Sequence, residues 1–191
     1  MRNCIKKAYG YTLIELLITL SIMSILISFA LPGFASMLRA VQGDTVMNSV
    51  ANAYQLARST AITERKPVVL CAKADARTCG ADWTRGALVF VDPNNNRIQD
   101  DGERAMADIA PPPTGSHLSM KAALGKQYLR FMDNGMLENT AGSMLYCPPN
   151  GTARDARNII FTRNGRLRFG SDANHDGIRE NAEGQPLDCP S

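Results

Sequence analysis

Histidine is nearly absent from this sequence: His117 and His175 are the only two in 191 residues. No nucleophile–base signature, phosphate-binding loop or cofactor fingerprint accompanies them, so the chain offers no recognisable catalytic apparatus. His117 opens an apolar run and reads as structural, and His175 lies in a polar loop as a solvated turn residue. A lasting charge excess is also missing. Of 21 basic residues, Arg2, Lys6 and Lys7 precede Gly10, and loss of that stretch leaves parity with the 18 acids. Affinity for a polyanion must then come from a local patch rather than from net charge. The cysteine spacings, C-x7-C and C-x41-C beyond Cys4, lack zinc-ribbon geometry. No A-x-A follows the N-terminal apolar run, which argues against an ordinary secretory signal peptide.

What is present begins with that run. From Tyr11 to Leu31 the one charge is Glu15. As a helix at about 1.5 Å per residue the stretch covers about 31 Å, the thickness of a ~30 Å hydrocarbon core. The basic residues before it place residues 1–10 on the cytoplasmic side. Pro32 removes a backbone donor, which predicts a kink or melted turn near Ser28 to Pro32. Val46, Met47, Val50, Tyr54, Ala57, Ala61 and Ile62 then recur at helical spacing, an amphipathic helix ended by Pro67. A carboxylate inside a bilayer-length helix costs about 2.5–3.5 kcal/mol on insertion scales, so retention of Glu15 calls for a partner.

With 45% hydrophobic and 20% charged residues the chain can build one folded core. Beyond Pro67 the pattern turns to short β-like runs, PVVLCA, GALVFVD, HLSM, QYLRFM, SMLYC, NIIF and RLRF, separated by Gly, Asn, Asp and Pro. A helix followed by strands predicts an α+β fold, the helix packed on antiparallel sheet. Beyond Cys4 there remain Cys71, Cys79, Cys147 and Cys189, an even number that favours disulfides in an exported domain. We expect Cys71–Cys79 to close a local loop and Cys147–Cys189 to tie down the C-terminus; sequence alone leaves the other two pairings open.

The segment KKAYGYTLIELLITLSIMSILISFALPGF resembles a class III prepilin leader joined to a type IV pilin helix. The resemblance implies cleavage after Gly10 by a prepilin peptidase, methylation of the new amine on Tyr11, and Glu15 as the fifth mature residue, meeting the Tyr11 amine of a neighbouring subunit. Tyr11 departs from the usual phenylalanine. YQLARSTAITERKPVVLC, CGADWTRGALVFVDPNNNRIQDDGE and NIIFTRNGRLRF resemble the FimT/GspH group of minor pilins and pseudopilins. The implied organisation is a leader (1–10), a transmembrane and filament-core helix (11–34), an amphipathic half (35–64) and a β-rich domain (65–191). The implied location is the inner membrane, single-pass, with a periplasmic domain, and then the pilus surface.

Between residues 154 and 168 five arginines, Arg154, Arg157, Arg163, Arg166 and Arg168, stand against one acid, Asp155. RNGRLR reads as a hairpin turning at Asn164-Gly165. Arg166 and Arg168 share one face, with Leu167 and Phe169 facing inward. Such a cluster suits phosphate contacts indifferent to base identity. Gly165-Arg166-Leu167-Arg168 also matches the Gly-Arg-any-Arg motif through which the transformation branch of FimT proteins binds DNA. Double-stranded DNA is therefore the expected partner, beside other pilin subunits. The alternative is a solvated face paired with the acidic tail, Asp172, Asp176, Glu180, Glu183 and Asp188; a tail lying over the hairpin would screen it. At the level of the whole protein, the alternative is a structural GspH-like pseudopilin of a type II secretion system.

Two Asp/Asn-rich loops, Asp92–Glu103 and Asp172–Glu183, place oxygen side chains at the positions of a calcium loop. In the second these are Asp172, Asn174, Asp176, Glu180 and Glu183, with Gly177 at the sharp turn. The competing reading is two turns without metal. No cofactor is required by the sequence.

Overall fold

The computed structural model describes residues 11–138, 141–149 and 151–190, apart from the side chains of residues 30–32 and 35. Gly10 lies outside the described residues. The chain divides into two compact units, Met1–Leu38 and Arg39–Ser191. Helix α1, Leu13–Glu64, contributes to both.

In the first unit α1 starts with Thr12, whose Oγ1 accepts from the Glu15 backbone N–H at 3.3 Å. Thr12-x-x-Glu15 thus follows the spacing of an N-terminal capping box, and the Glu15 carboxylate sits in the first turn, where the helix dipole favours negative charge. The large apolar side chains between Leu13 and Phe29 are exposed. The hydroxyls of Thr19, Ser21, Ser24 and Ser28 fold back onto carbonyls three or four residues earlier. These four hydroxyl donors are therefore met within the helix itself, as an apolar environment requires. Among the described residues no helix is long and apolar enough to cross a membrane; side chains are described only to Phe29 of the run that continues to Leu31. The melted turn expected before Pro32 is not there, because α1 runs through Pro32 unbroken.

In the second unit the remainder of α1 packs on two antiparallel sheets, the α+β arrangement expected. In the first sheet β1, Val68–Lys73, pairs along one edge with β3, Ala87–Val91, which pairs with β4, Ala105–Ile109. The other edge of β1 holds β6, Tyr128–Phe131, and then the two-residue β2, Cys79–Gly80. The second sheet has the order β5, His117–Ala122; β7, Gly142–Cys147; β8, Arg157–Phe161; β9, Leu167–Phe169. Alternation sorts β1 cleanly. Val68, Leu70 and Ala72 join the main core, while Val69 and Cys71 form a smaller cluster with Leu88 and Phe90 on the other face. Met47, Val50, Tyr54, Ala57 and Ala61 give the helix its buried stripe. Ile62, at the end of that series, is 44% exposed.

Disulfides join Cys71 to Cys79 and Cys147 to Cys189. Tyr54 lies at the core centre, its ring edge-on to Phe131 at 4.8 Å. Burial pushes its phenol up to about 12, partly offset by the positive charge of Arg58. A folded-state value above the unfolded ~10 means that the contribution is complete below pH ~10 and is lost as pH rises through ~12. Two units at about 1.4 kcal/mol each amount to about 3 kcal/mol. Denaturation followed from pH 9 to 12 is expected to show this loss in the unaltered protein and a correspondingly shallower loss in Tyr54→Phe; parallel curves would count against it.

Candidate nucleic-acid interface

The β8–β9 hairpin is short and sharply defined. Its turn closes with Gly165 N–H donating to the Thr162 carbonyl at 2.9 Å, and Thr162 N–H donates to the Arg166 carbonyl at 2.9 Å. Ile160 pairs with Arg168, and Phe161 with Leu167. Leu167 packs against the core, whereas Arg163, Arg166 and Arg168 are exposed. Phe169 shares the inward side with Leu167, opposite Ile159, as expected, but at the end of an edge strand the core covers it only in part and it is 44% exposed.

Gly165 has a structural reason. Its φ is +73°, and a Cβ there would stand 2.3 Å from the Gly135 carbonyl oxygen and 2.6 Å from Arg58 Nε. The hairpin turn is thus pressed against a second Asn-Gly turn, Met132–Gly135, which closes in the same way with Gly135 N–H donating to the Met132 carbonyl at 2.8 Å. Leu137 N–H donates to the Arg163 carbonyl at 2.8 Å and joins the two. Arg58 of α1 enters between them and donates from Nε to the Gly135 carbonyl at 3.1 Å. No sequence signal points to Arg58, because its partner lies 77 residues away.

The arginine run does not act as one cluster. The sequence places Arg157 in support of a surface site; it is buried instead, with Nε donating to Asp44 Oδ1 of α1 at 2.8 Å and Nη1 donating to the Ala156 carbonyl at 3.0 Å. Strand alternation puts Arg157 on the inward face with Ile159 and Phe161. Arg154 is exposed on a separate 3-10 turn, Ala153–Asp155. Among the described residues Arg154, Arg166 and Arg168 have no carboxylate within 4.0 Å.

The acidic tail crosses the outer face of the second sheet. It is held by Cys147–Cys189, by Asn158 Nδ2 donating to the Glu180 carbonyl, and by Leu187 packed with Cys147 and Ala156. Arg168 lines one shallow groove with Asn174 and Glu180 of the tail. The basic residue of the tail, Arg179, turns toward Asp44, Nη2 to Oδ1 3.8 Å. Burial, then the neighbouring Arg157, lowers its guanidinium.

Both Asp/Asn loops are closed by their own hydrogen bonds. Asp92 is fully buried and accepts from the backbone N–H groups of Asn96 and Arg97. The amides of Asn94 and Asn96 donate to Asp100 and hold its carboxyl below the usual range. Burial, with Asp92 and Asp100 nearby, pushes the Glu103 carboxyl up, against a backbone hydrogen bond from Asp100. In the second loop Asp172 accepts from Gly177 N–H, Asn174 from Asp176 N–H, and Glu180 from Ala173 N–H. Glu183 contributes a backbone N–H to Asn181 Oδ1. Among the described residues no group of three or more His, Cys, Asp or Glu side chains is arranged to hold a metal ion.

Comparison with known proteins matches residues 46–165 to the family described as "Type II transport protein GspH", and residues 5–31 to the prokaryotic N-terminal methylation motif. The chain is 31% identical over 163 residues to the pilin-like protein PilA1 of Thermus thermophilus, covering 84% of this chain and 97% of that protein. The type IV minor pilin FimU of Pseudomonas aeruginosa superposes with a TM-score of 0.51 at 19% identity, over 67% of this chain and 90% of that one. The minor pseudopilin EpsH of the Vibrio cholerae type II secretion system gives 0.49 at 16% identity, over 67% and 95%.

Proposed function

The chain belongs to the GspH family of minor pilins and pseudopilins, and from that premise we propose that it is a type IV minor pilin that binds double-stranded DNA without sequence preference, for DNA uptake. Subunits of this kind assemble with other pilins, and the methylation motif implies membrane anchoring before assembly. A prepilin peptidase cuts after Gly10 and exposes the Tyr11 amine, and Glu15 of one subunit neutralises that amine on its neighbour. The globular domain then stands in the periplasm and later on the pilus surface.

The observation that carries the DNA reading is the pair Arg166 and Arg168, exposed, on one face of a two-stranded ribbon, without a carboxylate partner among the described residues. Guanidinium groups so placed pair with phosphate oxygens through parallel N–H donors. Arg163 flanks them, and Arg154 extends the surface. The role is binding and assembly rather than catalysis.

The test is fluorescence anisotropy of a labelled duplex titrated with the full chain in detergent. Binding that weakens at least tenfold between about 50 and 200 mM salt supports the reading, because each neutralised phosphate contributes about −0.9 to the slope of log K against log salt. Absence of binding at low salt overturns it. A second reading, a structural pseudopilin of a type II secretion system, is favoured by the description of the matching family. Pilus-assembly genes beside this one support the first reading, and secretion genes support the second.

A further inference from the structure

Arg58 does something that neither the arginine motif nor the family match assigns. It lies on α1, half-buried, one helical turn from both Tyr54 and Ile62. Its Nε–H is satisfied by the Gly135 carbonyl of the first Asn-Gly turn. The same Nε stands 2.6 Å from where a Cβ on Gly165 would be, so the second turn rests directly on the guanidinium. Ile62 completes the seat: its Cδ1 is 2.6 Å from where a Cβ on Gly135 would be. The two turns are then tied by Leu137 N–H to the Arg163 carbonyl. Arg163, Arg166 and Arg168 leave from the second turn and the strand that follows it, so their directions are set by what the turn rests on.

We propose that Arg58 is the positioning residue of the DNA-binding surface, clamping the two turns so that the hairpin arginines are presented together. This rests on the DNA reading above. The side chain carries a donor at Nε in a fixed fork, which lets it hold the Gly135 carbonyl while the same Nε and Cδ lie beside Gly165. An aliphatic residue at this position cannot donate to Gly135, and the hairpin is then free to shift relative to α1. The buried face of α1 beside it packs into the core through Tyr54 and Ala57. The orientation of the arginine hairpin is accordingly fixed to the helix.

The test is a double-mutant cycle with Arg58→Met and Arg166→Gln, read as duplex affinity of the full chain in detergent, with backbone amide shifts of Gly135 and Gly165 recorded on the same proteins. Arg58→Met is expected to weaken binding by about tenfold and to shift both amides. On that background Arg166→Gln is expected to cost less than twofold, against several-fold in the unaltered chain, because a displaced Arg166 has less contact to lose. Losses that simply multiply, or amides that stay in place, overturn the clamp. Unaltered affinity in Arg58→Met overturns it while leaving the DNA reading intact. Failure of the unaltered chain to bind a duplex ends both. If Arg58→Met fails to fold, Arg58→Lys takes its place in the cycle. Lys keeps the charge but has no donor at the position of Nε, and the same coupling and amide shifts are expected; full affinity with Lys shows that charge alone matters and overturns the clamp.

Discussion

Replacing Arg166 and Arg168 together with glutamine is expected to lower affinity for double-stranded DNA by ten- to a hundredfold at about 50 mM salt, and to reduce the salt slope by about 1.8. Both side chains are exposed, stand on the same face of the hairpin and lack carboxylate partners among the described residues. Glutamine keeps some of the length and hydrogen-bonding capacity but removes the charge that releases counterions. Because neither arginine contributes to the core, the thermal midpoint is expected to hold, with stability changed by no more than about 0.5 kcal/mol. That separation of affinity from stability is what makes the experiment decisive. Loss of binding with an unchanged midpoint places the polyanion contact on the hairpin. Unchanged binding with an unchanged slope removes the hairpin from the interface. Arg154→Gln, on a separate 3-10 turn, is expected to cost less, about two- to threefold, because it removes one phosphate contact at most.

The contrast with Arg157 shows what charge counting alone misses. In the sequence Arg157 is one of five arginines in a short run, and its surroundings look as basic as those of Arg166. The two differ in phase. Strand β8 places residues 157, 159 and 161 on one face, and Ile159 and Phe161 identify that face as inward. A guanidinium there needs a carboxylate, and Asp44 of α1 supplies it, 113 residues away in the chain. Period-2 reasoning applied to RNIIF separates Arg157 from the site. The same reasoning places Phe169 on the inward side, where it lies opposite Ile159, but does not give its 44% exposure, because an edge strand ends before the core covers it. Strands β1, β3 and β8 are legible because strands buried on both faces carry continuous apolar runs, and β5, β6, β7 and β9 because apolar residues recur in them between turn residues. Strand β4, AMADI, is not, since an edge strand with alternating partial exposure carries little hydrophobic signal. Arg58 has no local signature at all, because its role depends on the meeting of two turns that sequence cannot bring together. The loops at Asp92 and Asp172 are legible as turns. Their Asx hydrogen bonds are what Asp and Asn provide at those offsets, with or without an ion.

Removing the Cys147–Cys189 bond by Cys147→Ala and Cys189→Ala is expected to lower stability by about 4 kcal/mol, since the bond closes a loop with a sequence separation of 42. The same treatment of Cys71–Cys79, with a separation of 8, is expected to cost about 2.6 kcal/mol on chain entropy alone. Denaturant midpoints of the two double variants provide the comparison, with limited proteolysis to follow the tail. Without its tether the tail keeps Leu187 on Ala156 and the bond from Asn158 to the Glu180 carbonyl, so it is expected to fray from the C-terminal end while the hairpin keeps its fold. The order of the two effects separates two sources of stability. If the longer loop costs more, the disulfides act mainly by restricting the unfolded chain. If the shorter loop costs more, packing lost around the sulfur atoms outweighs chain entropy. Cys71 is fully buried in the small cluster with Val69, Leu88 and Phe90, and its loss would then open that cluster rather than merely lengthen a loop.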